Sequence, residues 1–353
     1  MKFKLFLLSL MSSLLYCKAQ NTPLYIGTYT DGESEGIYQI QFNAKTGELS
    51  NLQLAVTTEN PSFIAYSPDK QYLYAVNEND AGSVSAFRVQ QSGLLQFLNQ
   101  VKSNGAAPCH VSVNKAGDKI VVSNYTGGSA SVYNILNDGK LNEAFQVFNF
   151  NTTDIISHAH SAQFFKDELF VADLGTNAVS HYKLSDKKYQ LKHQNLVKMV
   201  GNPGPRHFAL TKNGHYIYII NEYGGSVTSV KKTADGFEQI DYDSTLDEKY
   251  KGKNACADIH LSKDENYLYA SNRGENSIAV FKRNKKDGTI EKIQTKSVHG
   301  DWPRNFTLDP TGKYLLVANQ KSYNISVFSI DLSSGKLTFL DDYKAPSPVC
   351  LLF

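Results

Sequence analysis

Along most of this chain apolar and polar positions alternate in short runs, and polar turns break the runs at close intervals. A period of two places successive side chains on opposite faces of an extended strand. Tyr216-Ile217-Tyr218-Ile219-Ile220-Asn221 and Ser226-Val227-Thr228-Ser229-Val230 are typical runs. Short strands with turns every ten residues or so predict an all-β protein.

The runs repeat as a unit of about forty-seven residues. Six segments begin at positions 61, 108, 158, 205, 256 and 303 and share one plan. Pro205-Arg206-His207-Phe208 leads to Tyr218-Ile219-Ile220-Asn221, as Pro303-Arg304-Asn305-Phe306 leads to Leu316-Val317-Ala318-Asn319. The fourth-blade segment is aligned from His158-Ala159-His160-Ser161 to Phe170-Val171-Ala172-Asp173. A third run follows each pair, then a Gly-bearing turn such as Asp287-Gly288 or Ser334-Gly335, then a fourth run. Four strands per repeat of this length describe a blade of a β-propeller.

The two ends of the chain set the blade count. Leu24-Tyr25-Ile26-Gly27-Thr28 matches a second strand with no first strand before it, and Pro348-Val349-Cys350-Leu351-Leu352-Phe353 matches a first strand with nothing after it. If the last strand completes the opening blade, seven four-stranded antiparallel blades close into a ring without exposed edges. No linker or low-complexity tract interrupts the pattern, which predicts one seven-bladed domain over residues 20–353.

That architecture collects polar residues. In a propeller the leading ends of the innermost strands and the trailing ends of the second strands share one mouth of the central channel. Those positions carry His110, His158, His160, Arg206, His207 and Arg304 at leading ends, and Glu222, Arg273, Gln320 and Lys321 at trailing ends. Glu78 and Asp258 fall in the same sets. Arg206 and Glu222 flank one hairpin and are expected at the same end of it. Several cations around one prominent carboxylate form a mouth suited to a small anionic ligand. The Asn that recurs at the trailing ends (Asn77, Asn124, Asn221, Asn272, Asn319) is expected to brace the turns. His158-x-His160 alternates, so both rings are expected on one sheet face; no third ligand at convincing spacing accompanies them, and no metal is expected.

The first nineteen residues are different in kind. Lys2 and Lys4 precede an apolar run over residues 5–16, and Cys17-Lys18-Ala19 ends it. This is the pattern of an export signal cleaved after Ala19, and the run is too short to span a membrane as a helix. Lipidation at Cys17 is the rival reading, disfavoured by the bulk of Tyr16. An exported product, periplasmic or secreted, is expected. Loss of Lys2, Lys4 and Lys18 moves the formal charge by three, from +2 to −1, which leaves no basic field for nucleic acid. Cys109, Cys256 and Cys350 remain, each at the start of an inner strand, where a small buried thiol is expected. An odd number leaves at least one thiol unpaired. With 21 Tyr and 19 Phe there is ample material for a β core. No nucleophile elbow, zinc-protease helix, P-loop or dinucleotide fingerprint is present.

Across the mature chain the sequence resembles the seven-bladed propeller lactonases, a family that includes bacterial 6-phosphogluconolactonases of propeller type and fungal carboxy-cis,cis-muconate cyclases. The likeness is carried by Tyr25-Ile26-Gly27-Thr28-Tyr29-Thr30, Asn60-Pro61-Ser62, Ser157-His158-Ala159-His160-Ser161, Gly204-Pro205-Arg206-His207, Asn221-Glu222, Pro303-Arg304-Asn305-Phe306 and Asn319-Gln320-Lys321-Ser322. The resemblance implies a site at one channel mouth that needs neither metal nor cofactor. It implies Arg206, Glu222 and His158 or His160 as catalytic groups, with Arg273 as an anion-binding position. His207 and Arg304 match family motifs as further substrate-binding positions; His110, Gln320 and Lys321 join them from their place at the mouth. The implied activity is hydrolysis of a sugar-acid lactone. The alternatives are a muconate-type lactonizing cyclase and a propeller that binds a ligand without turnover. For an exported member the expected substrate is an unphosphorylated sugar lactone or another lactone-like metabolite, since the phosphorylated lactone is made in the cytosol.

Overall fold

The computed structural model describes residues 21–199 and 201–353. The proposed export signal, including Cys17 and the cleavage position after Ala19, lies outside the described residues. Among the described residues twenty-eight strands, β1 to β28 in chain order, form seven four-stranded sheets. The first blade has the order β28 (Pro348–Leu352), β1 (Asn21–Thr28), β2 (Gly36–Asn43), β3 (Leu49–Thr57), so the last strand of the chain is the innermost strand of the first blade. Tyr25 pairs with Leu352 and Gly27 with Cys350. The other six blades are continuous in sequence, and the ring closes with seven blades as the repeat predicts.

Each strand's composition follows its depth. The second strand of blade 5, β17 (Tyr216–Asn221), and that of blade 7, β25 (Tyr314–Asn319), are buried at every position. Both of their faces pack against neighbouring blades, so they read as nearly unbroken apolar runs. Outermost strands such as β27 (Leu337–Lys344) bury only scattered positions. Seven apolar clusters fill the seams between adjacent blades, for example Tyr218, Ile220, Leu268, Ala270 and Phe281 between blades 5 and 6.

A tyrosine latch crosses the seams. Tyr25, Tyr74, Tyr218 and Tyr269 lie on second strands, and each donates its hydroxyl to a glycine carbonyl in the hairpin of the following blade. The Tyr218 to Gly288 bond is 3.0 Å. Gly288 has φ +83, and a Cβ there would sit 2.2 Å from the Tyr216 ring, so this turn needs glycine for conformation and for space. The hairpin glycines are thus contacts between blades as well as turn residues.

The inner strands are bulged where they enter the mouth. In β16 (Pro205–Leu210), Pro205 pairs with Asn221 and His207 with Ile220, which leaves Arg206 as the extra residue. The same register shift makes Cys109, His160 and Arg304 the extra residues of β8 (Pro108–Val113), β12 (Ala159–Phe165) and β24 (Pro303–Leu308). A bulge bends the strand and re-aims its side chains. It also corrects the fourth-blade alignment by one residue. Ala159, not His158, occupies the place of Pro205, and His160 that of Arg206. His158 precedes the strand, so simple alternation does not relate the two imidazoles.

The recurring asparagines are braces. Asn221 Nδ2 donates to Ser226 and Thr228, Asn124 Nδ2 to the Ser103 carbonyl, and Asn272 Nδ2 to the Thr245 carbonyl. Cys109, Cys256 and Cys350 are buried and form no disulfide among the described residues.

Candidate functional site

Arg206 is 1% exposed although it carries a charge. Its Nε lies 2.9 Å from Glu222 Oε2, and its Nη1 donates to the Ala257 carbonyl. The same Glu222 oxygen lies 2.8 Å from Nη2 of Arg273, which ends the second strand of blade 6, β21 (Tyr267–Arg273). Arg273 is held in turn by the Ala255 and Cys256 carbonyls, each 3.1 Å away. Two guanidiniums from adjacent blades therefore share one carboxylate oxygen and leave one unit of positive charge at the mouth. Burial and the neighbouring Arg206 charge bring Arg273 down to about 9, still protonated at neutral pH. Trp302 lies against this group, with the Arg273 guanidinium 5.3 Å and Lys321 Nζ 3.4 Å from its ring centre. Such cation–π contacts hold the two side chains in place.

The mouth holds a second carboxylate besides Glu222, at a trailing-end position the repeat had marked. Glu78 Oε2 accepts from the Tyr29 hydroxyl at 2.8 Å and from Ser62 Oγ. Its Oε1 faces Arg304 Nη2 at the looser distance of 3.7 Å, and the Arg304 guanidinium lies 5.3 Å over the Tyr29 ring. Glu78 follows Asn77 as Glu222 follows Asn221, so the repeat register itself marks it. Trp302 is the only tryptophan and directly precedes Pro303-Arg304. Its composition alone gave no sign that it would join the cluster.

The histidines divide into two groups. His158 lies at the rim, partly buried, its ring stacked on Tyr125 at 4.6 Å and its Nδ1 3.3 Å from the Tyr125 carbonyl. His160 lies deeper, 4% exposed, with its ring 5.6 Å from Tyr125 and 5.1 Å from His207. Its Nδ1 has no hydrogen-bond partner among the described residues. Burial and the charges of Arg206, Arg304 and Arg273 hold this imidazole well below its ordinary range, so it is neutral.

His110 and His207 are placed below the arginine layer rather than at the rim. Their rings are 5.4 Å apart and close against Phe63, forming a plug across the channel. Burial and the adjacent cations lower both imidazoles, His207 to about 4. Beneath the plug a cavity of about 400 Å³ opens at the opposite end of the channel, lined by His110, His207, Asp258 and His260. Of the remaining expected residues, Gln320 keeps a buried Oε1 with no hydrogen-bond partner among the described residues, and Lys321 covers Trp302. No group of three His, Cys, Asp or Glu with the geometry to hold a metal ion occurs among the described residues.

A buried arginine pair on one carboxylate, beside a neutral imidazole at the mouth of a seven-bladed ring, can bind an anion and stabilise negative charge developing on oxygen. The comparisons agree in direction. The family model for lactonases of the seven-bladed β-propeller type matches residues 23–353. The chain belongs to this lactonase family. The match runs from the second strand of the first blade to the closing strand. The 6-phosphogluconolactonase of Formosa agariphila is 36% identical over 332 residues, covering 89% of this chain and 94% of its own. The 6-phosphogluconolactonase of Bacillus subtilis is 32% identical over 341 residues, covering 93% of this chain and 97% of its own. The periplasmic gluconolactonase of Pseudomonas aeruginosa superposes with a TM-score of 0.88 at 29% identity, covering 94% of this chain and 98% of that one. The likeness to these lactonases therefore covers every blade that contributes to the mouth.

Proposed function

We propose that this mouth hydrolyses a sugar-acid lactone. The observation that carries the reading is the shared Glu222 oxygen between Arg206 and Arg273, because it fixes two donors beside a surplus of positive charge. Water attacks the lactone carbonyl, a carbon–oxygen bond forms, and the charge collects on the former carbonyl oxygen. Arg206 and Arg273 stabilise that oxyanion. His160 takes the proton from water and returns one to the ring oxygen as the ester bond breaks, giving the open hydroxy acid. Its imidazole is neutral and so free to take a proton, and its Nδ1 has no hydrogen-bond partner among the described residues. Glu222 acts as the clamp between two guanidiniums rather than as the base. His158 and Tyr125 form the rim of the substrate's binding place, with Arg304 and Lys321 as further anion contacts.

The substrate is an unphosphorylated sugar lactone met outside the cytosol. The likeness to a periplasmic gluconolactonase supports this, as does the export pattern of residues 1–19. No helix among the described residues is long and apolar enough to cross a membrane. Residue 20 is the expected first residue of the exported protein, which N-terminal sequencing of the product would check.

The deciding experiment is a pH-stat assay of the purified protein with glucono-1,5-lactone, its 6-phosphate and a muconate. Opening of a sugar lactone by the wild type, lost in Arg206→Ala, sustains the reading. Lactone formation from muconate without lactone opening would replace it with the cyclase. Binding without turnover on any of the three would make the protein a ligand-binding propeller.

A further inference from the structure

Asp258 is 3% exposed and ionised inside the channel. Burial alone would raise its carboxyl, but the histidines on either side hold it well below the usual range. Five groups donate to it. Its Oδ1 accepts from His207 Nδ1 at 2.8 Å and from the Ile259 amide at 3.0 Å. Its Oδ2 accepts from His260 Nε2 at 2.9 Å, Asn305 Nδ2 at 2.6 Å and the Phe306 amide at 3.3 Å. These donors come from the inner strands of blades 5, 6 and 7, so the carboxylate stitches three blades together.

The same contacts settle the state of His207. An ionised carboxylate can only accept, so Nδ1 carries the proton. Arg206 Nη1 lies 3.5 Å from Nε2, and a guanidinium can only donate, so Nε2 offers its lone pair. Both neighbours select the same neutral tautomer. Polar contacts then run unbroken from His260 through Asp258 and His207 to Arg206, and on to Glu222 and Arg273. They cross the aromatic plug and join the far cavity to the arginine clamp.

We infer that Asp258 is a positioning residue for that clamp: it holds His207 in the tautomer that accepts from Arg206, and it links this contact to His260 in the cavity at the opposite end of the channel. The inference rests on the proposed lactonase reading of the mouth. His260 has 41% of its side-chain surface exposed and is open to solvent through the cavity. Its other charged or titratable neighbours there are Lys212, Lys263 and Glu265, with His110 and His207 on the plug. The Phe306 ring from blade 7 packs against it at 4.8 Å. Burial would lower the His260 imidazole, but the Asp258 carboxylate outweighs it and holds the group above its ordinary value. With His260 protonated, the charge of Asp258 is partly compensated. When His260 loses its proton, Asp258 draws harder on the His207 Nδ1–H, and Nε2 becomes the better acceptor for Arg206.

Three variants test this in the same lactone assay used for Arg206→Ala. His207→Asn places an amide N–H near the former Nδ1 position and so keeps the stitch to Asp258, but it removes the acceptor facing Arg206. It should fold with a near-native melting temperature and lose tenfold or more in kcat with little change in KM. Asp258→Asn should lose at least as much. Its melting temperature should also fall, because the stitch is broken. His260→Gln should keep its fold, and its kcat/KM profile should lack the ionisation above the ordinary imidazole value that the wild type shows. Wild-type kcat in folded His207→Asn, with Arg206→Ala inactive, would overturn the positioning role and leave the lactonase reading standing. A His260→Gln profile superposing on the wild type would overturn the link to the far cavity. A fully active Arg206→Ala would overturn the part of the arginine clamp in the chemistry, and the inference with it, whereas a wild type that opens no lactone would overturn the lactonase reading.

Discussion

Arg206 and Glu222 lie sixteen residues apart in the chain and 2.9 Å apart in space, from guanidinium Nε to carboxylate Oε2. Glu222 also pairs with Arg273, so its loss leaves two buried guanidiniums with no counter-charge between them. Removing one partner of a buried ion pair is costly because it strands the other charge. Glu222→Gln should therefore lower stability by about 3 kcal/mol in urea denaturation. It should also reduce kcat/KM tenfold to a hundredfold as the donors lose their aim. An unchanged unfolding midpoint would mean that the guanidiniums are not held by this carboxylate.

The two imidazoles beside the clamp should respond unequally. His160→Ala should lower kcat by ~10²–10⁴, the usual worth of a general base. His158→Ala should cost less than tenfold, because its ring only borders the mouth against Tyr125. Steady-state kinetics on the preferred lactone separates the two, and the reverse order would move the base to His158.

Acid should destabilise the fold through its neutral imidazoles. Folded His207 titrates at about 4 and unfolded histidine near 6.5, while His110 and His160 are shifted in the same direction. A group whose folded value is depressed contributes its stability above the unfolded value and loses it as pH falls towards the folded one. For His207 the loss between about pH 6.5 and 4 is on the order of 3 kcal/mol. His260 acts in the opposite sense: its raised value gives stability below the unfolded value, lost as pH rises through the folded one. Calorimetric melting from pH 4 to 8 should show a falling acid arm, shallower in His207→Asn.

Trp302 makes the mouth visible. It is the only tryptophan, and Arg273 and Lys321 both lie on its ring. An aldonate product that draws on those cations should change the intrinsic emission in a saturable way. Trp302→Phe should abolish the signal, and Lys321→Ala should weaken apparent affinity severalfold. A flat titration with a product that inhibits turnover would place the ligand away from this wall.

The latch between blades gives a test remote from the site. Tyr218→Phe removes a hydroxyl that donates to the Gly288 carbonyl and accepts from the buried Arg283 Nε, and should cost about 2 kcal/mol. Gly288→Ala should cost more, since it adds a strained φ and a clash with the Tyr216 ring. Denaturant melts of both variants should leave kcat unchanged in the folded fraction.

The repeat determined the blades, and the half-blades at the two ends of the chain determined the count of seven and the closure by the last strand, because alternation and hairpin turns are local and recur with a fixed period. It also placed Arg206 and Glu222 at one end of a hairpin, since both the strand period and the turn act within a single segment of chain. Tertiary structure decided what crosses between blades. The bulges at Cys109, His160, Arg206 and Arg304 break the period of two, so a one-residue shift in the fourth blade was invisible to a pattern that assumes alternation. Arg304 reaches Glu78 from blade 7 to blade 2, and Asp258 gathers donors from blades 5, 6 and 7. Those meetings depend on how far the inner strands converge around the channel axis. That distance is set by packing at all seven seams together, and no single stretch of sequence encodes it.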